Sequence, residues 1–409
     1  MQSTSGDASD AQSIVPLGES TTSSEVASNA PSGDAKRLDG IDLLRGLAIF
    51  FVLMNHINIR LLGADILYTR YLPAQLVHFL VWNGQLGVQM FFAVSGFLIT
   101  SITLRRWGSL AQVNLMGFYR LRFARIAPLL FLLLAILSGL HLAGVHRFVV
   151  PAKTGGLGRA LLAALTFHVN VLEAHRGYLP GNWDILWSLS VEEVFYLFFP
   201  IVCRVLGRSK LLFVLLAALV VLGPFGRTVF AHGNEIWEEY SYLGGMEGIA
   251  LGCLTALMIS QPVSRTRLSR TAVWILGGGG AAIVATSLIF SWQAYVGWPG
   301  RTGLNMTMLG IGTCMFIAAT AQTRWRSPRW LAPLLKIGQY SYEVYLTHMF
   351  VVFAFFGLFL DAGARMRLVP VLFVATILVA GGLGAAVSSL YSEPMNRLLR
   401  RDRSSQRDV

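Results

Sequence analysis

Long apolar runs, separated by short polar and basic stretches, follow one another through most of the chain. Most of them approach the roughly 20 residues that an α-helix needs to cross a bilayer. An additional run, 160–172, is short and contains His168 and Asn170, so it fits a re-entrant or interfacial segment as well as a crossing. The pattern predicts an all-α, polytopic transmembrane helical bundle of about ten helices, or eleven if 160–172 crosses. The ten predicted spans are 41–62, 84–104, 126–145, 185–203, 211–225, 241–259, 271–291, 304–321, 340–360 and 368–391.

The basic residues form short clusters between these runs. If 160–172 does not cross, all the clusters fall on one side of the membrane, and the loop with Glu235, Glu238 and Glu239 falls on the other. Loops rich in Lys and Arg stay in the cytoplasm, so this arrangement favours ten crossings with both termini cytoplasmic. The clusters are Lys36-Arg37, Arg105 to Arg125, Arg204 to Lys210, Arg265 to Arg270, Arg324 to Lys336 and Arg397 to Arg407.

Composition supports a membrane protein. Hydrophobic residues make up 54% of the chain and charged residues only 13%, whereas a soluble domain carries about 25% charged residues. The net charge of +12 would suggest nucleic acid in a soluble protein. Here the charge sits in the topology-setting clusters, so we predict no nucleic-acid partner.

The three cysteines lie in or beside apolar runs without metal-ligand spacing, so we predict packing roles and no metal. The many glycines are predicted to let helices approach closely.

The two ends of the chain differ from the middle. Residues 1–36 are rich in Ser, Ala, Gly and Asp and have few large apolar side chains, which predicts a disordered cytoplasmic tail. They lack the basic start and apolar centre of a secretory signal peptide. Residues 397–409 are predicted to be a basic cytoplasmic tail. The membrane domain is therefore expected to occupy 37–396.

The first predicted span carries Arg45 and His56, eleven residues apart. Eleven steps of about 100° return to nearly the same helix face, about 16 Å further along the axis. Arg45 would lie near the cytoplasmic end, where Asp42 can pair with it, and His56 would lie deeper. The alternative is an arginine that extends to the interface and a packed histidine. Ionisable residues inside apolar runs are costly, so we interpret the two as functional.

Further polar residues lie in or beside other spans. Ser95 is in the middle of the second span, and Arg122 and Arg125 form one basic face at the start of the third. Arginines at this boundary serve topology or lipid contact, or bind phosphate groups bidentately. Glu192 and Glu193 are adjacent within an apolar run, where two carboxylates strongly disfavour double ionisation.

A second intramembrane histidine, His348, follows in the ninth span. The last span ends at Glu393, for which a helix-end role is as good an interpretation as a functional one.

These segments together resemble the acyltransferase-3 family of membrane acyltransferases, which includes bacterial O-acetylases of lipopolysaccharide, peptidoglycan and other glycans. No single segment is specific, but six in the same order are, and the likeness covers roughly 38 to 396. The matching segments are Arg45-x10-His56, Phe-Phe-x-x-Ser95-Gly-Phe, Arg122-x-x-Arg125, Trp-Ser-Leu-Ser-Val-Glu192-Glu193, Ser-Tyr-x-x-Tyr-Leu-x-His348 and the final Glu393-Pro.

The resemblance implies a membrane O-acyltransferase of the bacterial inner membrane that transfers an acyl group, usually acetyl from acetyl-CoA, to a carbohydrate hydroxyl. Its acceptor would be a cell-surface glycan or a lipid-linked precursor. Arg45 and His56 would belong to the catalytic centre, with Glu192 or Glu193 orienting an imidazole or a hydroxyl and His348 nearby. Arg122 and Arg125, with Arg45 and Ser95, would contact the CoA donor.

Two features depart from the family pattern. Leu43 stands where many members have Gly, and no SGNH-type esterase-like domain follows the membrane part in this sequence. Two alternatives to glycan acylation stay open. One is an acyltransferase acting on a small metabolite such as a macrolide. The other is a transporter or flippase of glycan lipids, with the buried Arg, His and Glu residues as a proton or substrate path.

Overall fold

The computed structural model describes residues 38–260, 269–323 and 325–400. Every element of regular secondary structure among these residues is a helix. The predicted tail 1–36 and residues 401–409 of the predicted tail 397–409 lie outside the described residues. The α-helices are α1 Asp39–Leu62, α2 Ala74–Val81, α3 Gly84–Trp107, α4 Leu115–Leu142, α5 Gly156–Leu165, α6 Val169–Arg176, α7 Gly181–Asp184, α8 Leu186–Leu206, α9 Leu211–Arg227, α10 Glu235–Tyr240, α11 Tyr242–Ser260, α12 Arg270–Ile289, α13 Ser291–Val296, α14 Trp298–Arg301, α15 Leu304–Thr323, α16 Ala332–Gln339, α17 Ser341–Asp361, α18 Val369–Val387 and α19 Glu393–Arg400.

The predicted all-α, polytopic bundle is confirmed. Within the described residues, nine helical segments are long and apolar enough to cross a membrane, and they cover nine of the ten predicted spans. The remaining span, 211–225, is the apolar helix α9, whose 17 residues extend about 25 Å. The doubtful run 160–172 is divided between α5, which ends at Leu165, and α6, which begins at Val169. At about 15 Å, α5 is too short to span the roughly 30 Å apolar core of a bilayer.

The basic clusters meet at one end of the bundle, which we call the basic end. The guanidinium of Arg120 donates a hydrogen bond to the backbone oxygen of Arg400, and that of Arg204 donates to the backbone oxygen of Val113. Arg326 pairs with Asp39 at the start of α1, 3.2 Å apart. These contacts join three of the six clusters to one another, and they join the cluster that contains Arg326 to the start of α1. Arg265 and Arg267 lie outside the described residues, and the cytoplasmic location of this end stays a prediction.

Glycines bring α3 and α11 into backbone contact, the packing role that the sequence predicts for glycines. A methyl group added to Gly252 would overlap the backbone oxygen of Ala93, and one added to Gly96 would overlap that of Ile249. Only residues without a side chain allow such an approach. The pair places Ser95 of α3 in the centre of the bundle, next to α8.

Replacing Gly252 with alanine is therefore expected to lower the melting temperature of the detergent-solubilised protein. The added methyl forces the two helices apart, and overpacking of this kind costs about 1–3 kcal/mol. The control is Gly278→Ala, because a methyl at Gly278 would meet no atom within 4 Å. If both variants melted like the wild type, the close approach of α3 and α11 would be refuted.

Candidate active site

A cavity of about 420 Å³ lies at the basic end of the bundle, between α1, α3, α4, α8, α17 and α19. Five of the eight residues selected from the sequence line it. They are Arg45, Ser95, Arg122, Arg125 and Glu192. The other three, His56, Glu193 and His348, do not.

Helices α1 and α17 pack against each other and place Arg45 and His56 in contact with residues of α17. Near the basic end, the Nε atom of Arg45 donates a hydrogen bond to Oγ of Ser341, 2.9 Å away, and Asp42 lies 4.0 Å from the same guanidinium. Deeper in the bundle, the rings of His56 and His348 have centroids 5.1 Å apart. Arg45 and His56 thus both face α17, as their spacing predicts.

Hydrogen bonding fixes the tautomer of His348. Its Nδ1 lies 2.6 Å from the backbone oxygen of Tyr345, one turn earlier. Because a carbonyl oxygen can only accept, Nδ1 carries the proton and Nε2 of the neutral ring does not. That Nε2 atom is buried and has no hydrogen-bond partner among the described residues. Buried polar atoms usually have a partner, so the free lone pair beside His56 is available to a substrate or to the second histidine.

Tyr345 separates the cavity from the histidine pair. Its side chain lines the cavity, and its ring centroid is 5.8 Å from that of His348. The phenol oxygen lies 2.6 Å from Oγ of Ser188 and donates to the backbone oxygen of Ile185, 2.9 Å away. These bonds hold the ring in place. The histidine pair therefore lies directly behind the inner wall of the cavity.

A polar network joins Ser95, Glu192 and Tyr196 in the cavity wall. Tyr196 donates to Glu192 over 2.5 Å, and Oγ of Ser95 contacts both groups. The guanidinium of Arg122 lies 3.6 Å from the centre of the Tyr196 ring. Its buried Nε has no hydrogen-bond partner among the described residues. A stacked arginine of this kind keeps donors available to an anion in the cavity.

Arg125 is held by a carboxylate that the sequence analysis did not select. Its guanidinium lies 3.1 Å from Oε1 of Glu343, whose side chain is 1% exposed, whereas that of Arg125 is 29% exposed. Its guanidinium carbon also lies 5.3 Å from the centre of the Tyr342 ring. The pair anchors one side of the guanidinium in the bundle while part of it faces the cavity.

Comparison with known proteins bears directly on this site. The family model described as an acyltransferase domain, Acyl_transf_3, matches residues 38–386. The chain belongs to the acyltransferase-3 family. Its fold and its family together make it a multi-pass membrane protein.

Similar proteins include "O-acetyltransferase OatA" of Staphylococcus aureus strain NCTC 8325, which is 24% identical over 322 residues, 76% of this chain and 50% of the relative. "Putative O-acetyltransferase SACOL0978" of Staphylococcus aureus strain COL is 24% identical over 331 residues, 77% of this chain and 50% of the relative. This acyltransferase-3 chain thus spans about half the length of the curated relatives it matches. No solved structure matches it.

The structure distinguishes between the two adjacent glutamates of this acyltransferase-3 protein. Glu192 lines the cavity, whereas Glu193, on the next position of α8, does not. One carboxylate oxygen of Glu193 is buried without a hydrogen-bond partner among the described residues. Glu393 lies apart from the cavity and pairs with Arg397 on an exposed face of α19, 3.2 Å apart.

Sequence reasoning missed several residues of the site. Tyr196 follows Glu192 by four positions, so helical spacing could have placed the two together. Glu343 is an acidic residue in the apolar segment that contains His348, and the rule that selected Glu192 applies to it equally. Arg106 and Arg400, which also line the cavity, carried no such signal, because both lie in clusters that topology alone explains.

A buried carboxyl pair lies nearer the opposite end of the bundle. Glu173 on α6 is fully buried, accepts a hydrogen bond from the backbone N–H of Leu179 and lies near Asp184. Tyr240 donates to Asp184 over 3.1 Å. Burial, and then the nearby Asp184 carboxylate, raise the pKa of Glu173 well above its ordinary value of 4.5. Glu173 therefore keeps its proton to a higher pH in the folded protein than in the unfolded chain.

This shift predicts a pH dependence of stability. Because the folded-state pKa is raised, the free energy of unfolding falls as the pH rises from about 4.5 towards that pKa. Glu173→Gln keeps an acceptor for Leu179 but cannot ionise, so it should reduce the fall. Melting temperatures at pH 5 and pH 8 test this. Equal pH dependence in the variant and the wild type would contradict the assignment.

Proposed function

We propose that this protein is a membrane O-acyltransferase. It moves an acetyl or other short acyl group from cytoplasmic acetyl-CoA to a hydroxyl of a cell-surface glycan or its lipid-linked precursor. The observation that carries the proposal is the arginine-lined cavity that ends, at Tyr345, against the pair His56 and His348. The names of the relatives, O-acetyltransferases, support the reaction type. We further propose that the protein lies in a bacterial inner membrane with its basic end in the cytoplasm.

The cavity suits a donor that carries phosphates. Arginine binds phosphate oxygens through paired N–H groups, and Arg122 and Arg125 present guanidinium groups to this space. Acetyl-CoA carries its acyl group at the end of a long chain opposite its phosphates. With the phosphates at the basic end, the thioester reaches the inner wall, near Arg45 and Tyr345.

His56 acts as the general base in this proposal. A hydroxyl is a weak nucleophile near neutral pH, so a positioned base must take its proton as it attacks the thioester carbonyl. The new ester bond forms as the carbon–sulfur bond breaks, and the CoA thiolate leaves and takes up a proton. Arg45 stabilises the developing oxyanion or holds a phosphate of the donor. His348, whose Nε2 is the free nitrogen, orients His56 or receives the proton from it.

The acyl group is transferred inside the bundle, and this location determines how the acceptor reaches it. The donor occupies the basic end, and His56 lies deeper along α1, so the acceptor hydroxyl approaches from the opposite side or from within the bilayer. Glu192 is hydrogen-bonded to Ser95 and Tyr196. It therefore stabilises the wall of the donor cavity and does not orient the general base His56.

The acceptor is tested by deleting the gene and recording the acetyl signals of the cell-surface glycans by NMR. Loss of a glycan O-acetyl signal, restored by the wild-type gene and not by a His56→Ala variant, is the expected result. An unchanged glycan spectrum would contradict the glycan acceptor. Purified protein that moved a glycan lipid but never consumed acetyl-CoA would contradict the enzyme and favour a transporter.

A further inference from the structure

Two of the five arginines that line the cavity have no role in the mechanism above. Arg106 is the penultimate residue of α3, and Arg400 is the last residue of α19. Both are exposed, whereas Arg45, Arg122 and Arg125 are half-buried. The cavity thus has an inner group of arginines and an outer pair at its rim, supplied by two helix ends far apart in the sequence.

The rim arginines face other cations. The charge on Arg400 lies within electrostatic reach of Arg125 and Arg106, and like charges held together repel. Among the described residues, carboxylates pair with Arg45 and Arg125, and no ion pair is found for Arg106 or Arg400. A polyanion at the rim would relieve this repulsion.

An aromatic surface lies beside the rim arginines. The guanidinium carbon of Arg106 is 5.7 Å from the centre of the Trp107 ring, and Trp107 also lines the cavity. Phe118 supports Trp107, with ring centroids 6.4 Å apart. A flat aromatic ring next to arginines is a suitable surface for a nucleobase that carries a nearby phosphate.

We propose that Arg106, Arg400 and Trp107 form a site for the 3′-phosphoadenosine part of the acyl-CoA donor. The inference rests on the proposed function and adds a specificity to it. Arg106 and Arg400 bind the 3′-phosphate, and Trp107 contacts the adenine. Arg122 and Arg125, deeper in the cavity, remain for the pyrophosphate. The rim therefore distinguishes acetyl-CoA from acetyl donors that lack the 3′-phosphate.

Direct binding of CoA and of 3′-dephospho-CoA to the purified protein tests this proposal without requiring transfer activity. Wild-type protein is expected to bind CoA roughly 10- to 100-fold more tightly, the range for charge-assisted hydrogen bonds. In the double variant Arg106→Ala/Arg400→Ala, the preference should fall to about 3-fold or less, as an estimate for residual long-range attraction. A preference that survives in the double variant would overturn the assignment.

Arg105→Ala is the matched control. Arg105 precedes Arg106 on the same helix and is also exposed, but it does not line the cavity. It removes the same charge and should leave the preference for the 3′-phosphate intact. If Arg105→Ala reduced the preference as much as the double variant, the effect would come from net charge and not from a site.

Lipid headgroup phosphates are the other source of anions for these arginines. Binding is therefore measured in nanodiscs of phosphatidylcholine, with and without phosphatidylglycerol. The proposal predicts a CoA preference in both. If the wild-type protein bound CoA and 3′-dephospho-CoA equally tightly in both lipids, the rim site would be overturned but the proposed function would remain intact. Failure of the wild type to bind CoA at all would contradict the donor, and with it the proposed function.

Discussion

Replacing His56 with alanine is expected to reduce acetyl transfer by about 10²- to 10⁴-fold, the usual contribution of a general base. The side chain lies deep on α1, with its ring 5.1 Å from that of His348 and behind the inner wall of the cavity. Since His56 does not line that cavity, affinity for CoA should change little. The loss should therefore appear in kcat rather than in the KM for the donor.

The control for this prediction is His175→Ala. His175 is an exposed histidine on α6, and its ring contacts the backbone oxygen of Val171 in its own helix. It should keep nearly full activity. A folded, membrane-inserted His56→Ala variant with wild-type kcat would contradict the role of His56. His348→Ala should also lose activity, and if it alone did so, the base would be His348.

Replacing Arg125 with alanine is expected to destabilise the protein by about 3 kcal/mol, near the lower end for a broken buried ion pair. Its partner Glu343 is 1% exposed and would lose the cation 3.1 Å away. The lower end applies because Arg125 itself is partly exposed. The change should appear as a lower melting temperature and a reduced yield of folded protein in detergent.

The double variant Arg125→Ala/Glu343→Gln separates stability from donor binding. The amide removes the uncompensated charge, so most of the lost stability should return. The cavity still lacks a guanidinium, so affinity for CoA should stay low. If Arg125→Ala melted like the wild type, the ion pair would carry no stability. If the double variant bound CoA normally, Arg125 would have no role in the donor site.

The sequence predicted the spans well because the bilayer requires long apolar helices whatever their packing. It also predicted that Arg45 and His56 share a face, which follows from helical geometry alone. Contacts between residues on different helices could not be predicted from the sequence. Nothing in the spacing along the chain indicates that His348 lies against His56, or that Tyr345 stands between the histidines and the cavity. Those contacts depend on how α1, α8 and α17 pack.

Charge clusters were the weakest guide to the site. The positive-inside rule accounts for the arginines of the six clusters, and it gives no means of recognising those that also line a cavity. Arg400 illustrates this. Its cluster is predicted to be a tail, yet in the structure residue 400 ends a helix and reaches the cavity beside Arg106. Only the positions of the helix ends in space separate an arginine that sets topology from one that binds a ligand.

The most direct test of the proposed transfer follows the acyl group itself. Inverted membrane vesicles that contain the glycan acceptor are supplied with acetyl-CoA labelled in its acetyl group, and label is measured in the glycan fraction. The proposed mechanism predicts incorporation with the wild-type protein and little with an equal amount of inserted His56→Ala protein. Incorporation that is equal in the two, or that is absent with folded wild-type protein, would contradict it.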